Sequence, residues 1–139
     1  MGEYILAHDL GTSGNKATLY DFEGRLKGSM VCSYDTHFKE EGWAEQDPED
    51  WWRAVCTSAK GLLETTGVSK EEIACVSFSG QMMGCLLIDG KGKPLRPMII
   101  WADIRAREQE RKMVAAVGVE RGYKIPGHRM SASYSAAKL

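Results

Sequence analysis

One stretch near the N-terminus, Tyr4 to Asp21, constrains the fold more than any other part of the chain. Its first residues, Tyr4–Ala7, form a short apolar run that predicts a strand covered on both faces. Asp9 and a Gly-rich turn follow, and the residues after Gly14 again have the pattern of a strand. We therefore predict two antiparallel strands joined by a turn, which differs from the strand, loop and helix order of a P-loop.

The turn carries the chemistry of a phosphate site. Its two glycines are expected to adopt positive φ and to bring backbone N–H groups close to a ligand. An acid, hydroxyls, N–H donors and a lysine within eight positions suit a Mg²⁺-polyphosphate. The alternative is an ordinary hairpin whose acid caps its own backbone and whose lysine is an exposed strand residue. The residues concerned are Asp9, Gly11, Thr12, Ser13, Gly14 and Lys16.

Composition limits the classes of partner. A length of 139 residues allows one domain with a core, and 43% hydrophobic with 27% charged residues is typical of a soluble globular protein. The net charge of −1 argues against nucleic acid or an anionic membrane as the main partner. No apolar run is long enough for a membrane span, and no signal peptide is evident. Four cysteines without metal-ligand spacing indicate reduced thiols and a cytoplasmic protein, with Cys75 and Cys85 expected in the core.

The following elements alternate between strands and helices. Three strands that end at Tyr34 predict an antiparallel meander. Asp47 and Pro48 predict the start of a helix, and Gly67 predicts its end. This helix carries an apolar stripe, so we expect both tryptophans at its start to pack rather than to bind a ligand. The stripe consists of Trp52, Val55, Cys56, Ala59, Leu62 and Leu63.

A strand at Ile73–Phe78 follows the helix and is therefore predicted to lie parallel to its neighbour. His8 lies inside the first strand and is expected to be a hydrogen-bonded core residue, whereas Trp43 either packs against the domain or lines a cleft. The later elements begin with two predicted strands, Cys85–Ile88 and Arg96–Trp101, joined through a hairpin turn at Asp89–Gly92. A helix is predicted from Asp103 to Val117, and Gly118 ends it. A loop over Tyr123–Arg129 and a helix from Ser131 follow.

Several motifs in order resemble one family. Asp9–Lys16 (DLGTSGNK) resembles the first phosphate motif of the actin, Hsp70 and sugar-kinase superfamily. WAEQDPEDWW, SGQMMG, IWADIR and YSAAKL follow, and the chain is most similar to the FGGY carbohydrate kinases, xylulokinases in particular. The resemblance implies a ribonuclease H-like α/β lobe, an arrangement that the order of elements also predicts. It further implies that residues 1–139 form the first part of the N-terminal actin-like lobe and that a second lobe is absent.

The resemblance assigns roles to the turn. Asp9 would hold Mg²⁺ through water, and Lys16 would stabilise charge on the transferring group. N–H and hydroxyl donors to the phosphates of ATP would come from Gly11, Thr12, Ser13 and Gly14.

The resemblance also implies a sugar side. Gln81, Met82 and Met83 match the xylulokinase sugar contact, but Met83 replaces a histidine, which argues for a less polar or differently hydroxylated sugar than xylulose. Trp101 would form a flat wall, while Asp103 and Arg105 would fix hydroxyls or each other. The alternatives are that the methionines and Trp101 are core residues and that Asp103 caps the next helix. Because Asp9 and Gln81 both end predicted strands, we expect them to face one cleft.

The expected activity is phosphoryl transfer from Mg-ATP to a ketopentose or related polyol. The catalytic base of such kinases would lie beyond Leu139, so this chain alone is expected to be inactive; a homodimer is compatible with the resemblance. Two other classes are weighed. A non-catalytic actin-like module would have no use for the sugar-side motifs, and a ribonuclease H-type nuclease needs several converging carboxylates where this chain has Gln81.

Overall fold

A computed structural model describes residues 2–139, and the chain forms two compact units. The first unit comprises Met1–Asp35 and Pro48–Gln81, and the second comprises Thr36–Asp47 and Met82–Leu139. Among residues 2–139 no helix has the length and apolar character that crossing a membrane would require. In chain order the elements are β1 (Tyr4–Leu10), β2 (Gly14–Asp21), β3 (Leu26–Ser33), β4 (Glu45–Gln46), α1 (Pro48–Thr66), β5 (Ile73–Gly80), β6 (Met98–Ile99), α2 (Arg107–Val117), α3 (Val119–Lys124) and α4 (Ser135–Lys138).

The first unit is a four-stranded sheet in the order β3-β2-β1-β5. Strands β1, β2 and β3 form the predicted antiparallel meander. Strand β5 pairs with β1 in parallel, as expected for a strand reached through a helical crossover. Ser69 forms a capping box at the N-terminus of the 3₁₀ helix Lys70–Glu72, which leads into β5. The predicted meander, helix and parallel strand are therefore confirmed.

Helix α1 packs on one face of this sheet, and the core lies between them. Its buried cluster is Leu6, Ala17, Leu19 and Leu62. Because side chains alternate along a strand, the neighbours Lys16 and Thr18 lie on the opposite face of β2. The helix therefore determines which face of the sheet stays open.

Two expectations about apolar residues in this unit are wrong. Trp52 is 62% exposed, because the buried face of α1 is centred on Ala54, Val55, Ser58 and Leu62 rather than on the whole predicted stripe. Cys56 is exposed for the same reason. Cys75 is exposed because β5 is the edge strand of the described sheet, and only its first residue is partly covered.

The second unit has little regular sheet. The predicted strand Cys85–Ile88 is replaced by isolated bridges, Cys85 to Ile99 and Ile88 to Pro94, and Arg96–Trp101 shortens to β6, which pairs with β4. The Asp89 turn forms as predicted, since its carboxylate accepts from the N–H groups of Lys91 and Lys93 at 2.8 Å each.

The helices of the second unit also differ from expectation at their ends. α2 begins at Arg107, not at Asp103, and it ends at Gly118, whose φ is 83°. Tyr123 lies in α3, inside the segment predicted as loop. α4 begins at Ser135 and buries Ala137, which packs against Ala106 and Ala132.

Candidate functional site

The turn between β1 and β2 presents its acid and its lysine on the same side of the sheet. Asp9 and Lys16 are direct partners in the antiparallel register, and both are exposed. The turn is closed by a 3.0 Å hydrogen bond from the Gly11 N–H to the Gly14 carbonyl. A cleft of about 300 Å³ is lined by Asp9, Lys16, Thr18, Ser77 and Ser79, among others. An anion that enters this cleft meets the cation of Lys16 and the hydroxyls of Thr18, Ser77 and Ser79, beside the Asp9 carboxylate.

Of the two glycines in the turn, Gly14 is required because a side chain would not fit there, and neither glycine provides a positive φ. Neither Gly11 nor Gly14 has a positive φ, so the expected left-handed turn is wrong. A Cβ on Gly14 would lie 2.6 Å from the Cys32 carbonyl oxygen and 2.9 Å from Ser33 Cα. Strand β3 therefore approaches the turn so closely that only glycine fits at position 14. A Cβ on Gly11 would meet only the Gly14 oxygen, at 3.5 Å.

Tyr34 forms two hydrogen bonds with the backbone of the turn. Its hydroxyl donates to the Gly11 carbonyl, and its backbone N–H donates to the Ser13 carbonyl at 3.4 Å. Burial, together with the negative charge of Asp9, raises the pKa of Tyr34 to about 12. The phenol therefore stays protonated at neutral pH and remains a donor to the turn.

A buried polar cluster supports the turn from the helix side. Asn15 Nδ2 lies 3.0 Å from His8 Nδ1 and donates to Ser58 Oγ at 2.7 Å. Burial lowers the pKa of His8, and the hydrogen bond between His8 and Asn15 opposes that effect only partly. His8 also stacks on Phe78, with ring centroids 5.2 Å apart. The expectation that His8 is a hydrogen-bonded core residue is confirmed.

Sequence reasoning missed Asn15 and Ser58. The available signal was the alternation in β2, which places Asn15 on the same face as Ala17 and Leu19. A polar residue on a buried face requires a partner, and α1 provides one through Ser58.

Gln81 lies immediately after β5. It is half-buried, and its N–H donates to the Leu10 carbonyl at 2.8 Å, next to the start of the turn. The backbone of Gln81 is therefore fixed against the end of β1, as expected for two neighbouring strands that end together.

The methionine pair and Trp101 belong to the second unit, and none of the three is a core residue. Met82 is 72% exposed, Met83 37% and Trp101 42%. The Cys85–Ile99 bridge is antiparallel, and Cys85 and Ile99 exchange both N–H to carbonyl hydrogen bonds, at 2.8 and 3.0 Å. Met83 lies two residues before Cys85, and Trp101 lies two residues after Ile99, so both flank this bridge in the sequence. Exposed thioether and indole groups therefore lie on the two segments that this bridge joins.

Asp103 and Arg105 bind each other. Asp103 is fully buried, its Oδ2 accepts from the Ala44 N–H at 2.7 Å, and Arg105 Nη2 donates to the same oxygen at 2.7 Å. Asp103 does not cap α2, whose N-cap residue is Ala106. The sequence left open whether Asp103 caps a helix or pairs with Arg105, and the structure shows the ion pair.

Glu45 completes this ion cluster and was also missed by sequence reasoning. It is 2% exposed and pairs with Arg105 at 2.8 Å, with Lys39 at 3.5 Å and with Arg96. Burial raises the pKa of Glu45, but the hydrogen bonds and charges of Arg105 and Arg96 outweigh burial, so the net pKa is below its usual value. The Arg105 guanidinium also lies 3.6 Å above the Trp43 ring, which shows that Trp43 packs within its own unit.

Among the described residues, Asp9 is the carboxylate that lines the cleft beside the β1–β2 turn. No group of three or more His, Cys, Asp or Glu side chains within residues 2–139 could hold a metal ion. A lone exposed Asp9 opposite Lys16 fits a Mg²⁺ ion whose other ligands are phosphate oxygens and water, because Mg²⁺ usually keeps several waters and needs few protein ligands.

Comparison with known proteins gives consistent results. Residues 4–139 match the family described as the FGGY family of carbohydrate kinases, N-terminal domain. The chain is 33% identical to the glycerol kinase of Synechocystis sp. over 138 residues, which is 99% of this chain and 28% of that protein.

Two solved structures extend the match to the fold. A xylulose kinase from Brucella ovis superimposes with a TM-score of 0.90 at 32% identity, over 97% of this chain and 28% of that one. The glycerol kinase of Plasmodium falciparum, solved with ADP, has a TM-score of 0.83 at 25% identity, over 97% and 27%. The predicted α/β, ribonuclease H-like class is confirmed, and the chain spans 21% to 28% of the length of the first curated relatives it matches.

Proposed function

Because the chain belongs to the FGGY family of carbohydrate kinases, we propose that it supplies the first part of the N-terminal lobe of an ATP-dependent sugar or polyol kinase. One observation carries the proposal: Asp9 and Lys16 are paired across the turn of an antiparallel hairpin and line one cleft. A protein that catalyses phosphoryl transfer mainly positions its reactants and neutralises charge. Asp9 would position Mg²⁺, and Lys16 would neutralise charge on the phosphoryl group.

The turn would bind the phosphates of ATP. Lys16 would lie against the γ-phosphoryl group, while Gly11, Thr12, Ser13 and Gly14 would donate N–H and hydroxyl hydrogens to the phosphate oxygens. Asp9 would hold Mg²⁺ through water, and the ion would supply charge neutralisation between phosphate oxygens. The glycerol kinase of Plasmodium falciparum was solved with ADP, which supports a nucleotide at this site.

The acceptor would be a ketopentose or a related polyol. Relatives named glycerol kinase and xylulose kinase support an acceptor of this class. Met82, Met83 and Trp101 offer an apolar wall suited to the C–H face of such a molecule, and Gln81 offers an amide to a hydroxyl. Arg105 and Asp103 would act on the acceptor only through the ion cluster with Glu45 that holds their segment.

Turnover would need residues outside these 139. We infer that the base which deprotonates the acceptor hydroxyl is not among them, so that the 139-residue chain does not phosphorylate a sugar by itself. All four cysteines are free thiols, which supports a reducing cytoplasmic location. The proposed partners are a sugar or polyol substrate and, in the complete kinase, a second copy of the same chain in a homodimer.

A coupled assay for ADP release tests the proposal. The complete open reading frame that contains this chain is expressed with the wild-type sequence and with Asp9→Asn, and it is supplied with Mg-ATP and a panel of pentuloses, polyols and glycerol. We expect acceptor-dependent ADP release that Asp9→Asn reduces strongly, and no release by the 139-residue chain.

The assay has two outcomes that overturn parts of the proposal. Acceptor-dependent turnover by the 139-residue chain would refute the inference that the base lies elsewhere. Nucleotide binding by the complete protein without turnover on any acceptor would favour the non-catalytic actin-like module instead.

A further inference from the structure

The short helix α4 supplies side chains to the backbone of the loop that carries the methionine pair. Ser135 Oγ donates to the Gly84 carbonyl at 2.9 Å, and Lys138 Nζ donates to the Met83 carbonyl at 3.1 Å. Two consecutive carbonyls of this loop are therefore held by side chains three residues apart on one helical turn.

The loop adopts a conformation that must be held. Met83 has a φ of 65°, and within residues 2–139 no other residue apart from glycines has a positive φ. A left-handed φ is unfavourable for a side chain such as methionine, and it persists only where neighbouring groups fix it. Gly84, the next residue, is in close contact with its neighbours, because a Cβ there would lie 1.7 Å from Met98 Cε and 3.1 Å from the Ile99 oxygen.

Lys138 also holds the segment opposite this loop. Its ammonium donates to the Ile100 carbonyl at 2.7 Å and to the Ser133 carbonyl at 2.6 Å. Ile100 immediately precedes Trp101 and directly follows Ile99, the bridge partner of Cys85. An ammonium has three donors, and here three carbonyls from three segments accept from it.

The surroundings of Lys138 differ from those of a surface lysine. Burial lowers the pKa of Lys138, and the negative charge of Asp103 opposes that effect. The exposed lysine Lys112, by contrast, makes only an ion pair with Glu108 one helical turn away. The hydrogen bonds of Lys138 therefore go to backbone carbonyls.

We propose that Lys138, assisted by Ser135, is a positioning residue for the acceptor substrate. Its ammonium fixes the carbonyls of Met83 and Ile100, and through them it sets the separation of the Met83 and Trp101 side chains that face the acceptor. This rests on the proposed function for the identity of the ligand. The hydrogen bonds from Lys138 and Ser135 to the Met83–Gly84 backbone, here called the clamp, lie within the 139-residue chain. They can therefore be tested without an activity assay.

The first test is a double-mutant cycle in the 139-residue chain. Lys138→Met and Met83→Gly are made singly and together, and melting temperatures are measured. Glycine adopts a φ near 65° without strain, so we expect the loss in melting temperature caused by Lys138→Met to fall to half or less in the Met83→Gly background. An equal loss in both backgrounds overturns the proposal. If Lys138→Met does not fold, Ser135→Ala, which removes only the Gly84 contact, replaces it in the cycle.

The second test observes the methionines directly. In [¹³C]methyl-methionine spectra of the chain, Lys138→Met should shift or broaden the Met83 signal and leave that of Met30, which packs in the first unit, unchanged. An unchanged Met83 signal would refute the clamp. The matched control is Lys112→Met, which should alter neither signal.

The third test addresses the substrate in the complete kinase. Lys138→Met should raise the KM for the acceptor roughly tenfold, as expected for a lost charge-assisted contact, and change the KM for ATP less than about twofold. Equal effects on both constants would mean that Lys138 acts only on folding. Absence of turnover in the wild type would refute the proposed function, while the first two tests still decide the clamp.

Discussion

Asn15 Nδ2 lies 2.7 Å from Ser58 Oγ, and this buried hydrogen bond joins β2, the strand that follows the Gly11–Gly14 turn, to helix α1. Asn15 also bonds to His8 in β1, so a single amide connects both strands that flank the turn with the helix behind them. The turn is thus supported from its buried side by the hydrogen bonds of the Asn15 amide nitrogen, whereas Asn15 Oδ1 is buried and has no hydrogen-bond partner among the described residues.

Asn15→Ala should therefore destabilise the first unit. His8 and Ser58 each lose a hydrogen-bond partner in a buried site, and we expect a loss of about 1–3 kcal/mol in the free energy of unfolding. Urea denaturation monitored by circular dichroism measures it. Ser29→Ala, at an exposed position of β3, is the control. Equal midpoints for the two variants would show that the cluster contributes nothing to stability.

The two glycines of the turn should respond differently to alanine. Gly14→Ala places a Cβ 2.6 Å from a backbone oxygen of β3, so the strand must move, and we expect a loss of about 1–3 kcal/mol. Gly11→Ala meets only one atom, at 3.5 Å, and should change stability by less than about 1 kcal/mol. Thermal unfolding of both variants provides the comparison, and a larger loss for Gly11→Ala would contradict the observed turn geometry.

Lys16→Met should impair phosphoryl transfer far more than folding. The side chain is exposed on β2, so its removal costs little stability, whereas loss of a cation at the transferring group should lower kcat by roughly 10²-fold. Steady-state kinetics of the complete kinase measure the effect. Lys27→Met removes an equally exposed lysine from β3 and should leave kcat unchanged. Similar kinetics for both variants would exclude Lys16 from the site.

Met83→His should shift acceptor preference toward more polar sugars. Histidine can donate to or accept from a hydroxyl, which a thioether does poorly, and one such contact is worth roughly tenfold in kcat/KM. We expect the ratio of kcat/KM for xylulose to that for less hydroxylated acceptors to rise. Met82→His serves as the comparison, because it adds the same group at the neighbouring, more exposed position. A ratio unchanged by Met83→His would show that residue 83 does not contact the acceptor.

The ion cluster of the second unit should make that unit sensitive to acid. The pKa values of Glu45 and Asp103 both lie below their usual values, because hydrogen bonds and charges from their arginine partners outweigh the effect of burial. The stabilisation that they provide is complete above the unfolded pKa values of about 4. It is lost as the pH falls through the lower pKa values of the folded state.

Glu45→Gln should remove part of this pH dependence and destabilise the protein at neutral pH. It breaks a buried charge cluster, and we expect a loss of about 3–5 kcal/mol at pH 7 that shrinks below pH 4. Glu120→Gln, which affects only an exposed pair with Lys124, should cost less than about 0.5 kcal/mol. Urea titrations between pH 3 and pH 7 test the difference, and a loss that does not depend on pH would be inconsistent with an ionised Glu45.

Local sequence signals predicted the first unit well, since alternating and periodic apolar residues, Pro48 and Gly67 mark its strands and its long helix. They failed where the outcome depended on contacts remote in sequence. The sequence left open that Asp103 caps a helix and that Met83 is a core residue, but Asp103 accepts hydrogen bonds from Ala44 and Arg105, and Met83 is 37% exposed. Trp52 continues an apolar stripe, yet the described sheet does not cover it.

The sequence by itself determined the hairpin with its acid, glycines and lysine, because strand alternation and turn chemistry are local properties of neighbouring residues. Only the tertiary structure decided why Gly14 must be glycine, which polar residues are buried together, and that Lys138 gathers three carbonyls. Those outcomes depend on distances between segments that lie far apart in the chain. Such distances are set when the whole chain packs, and no local pattern encodes them.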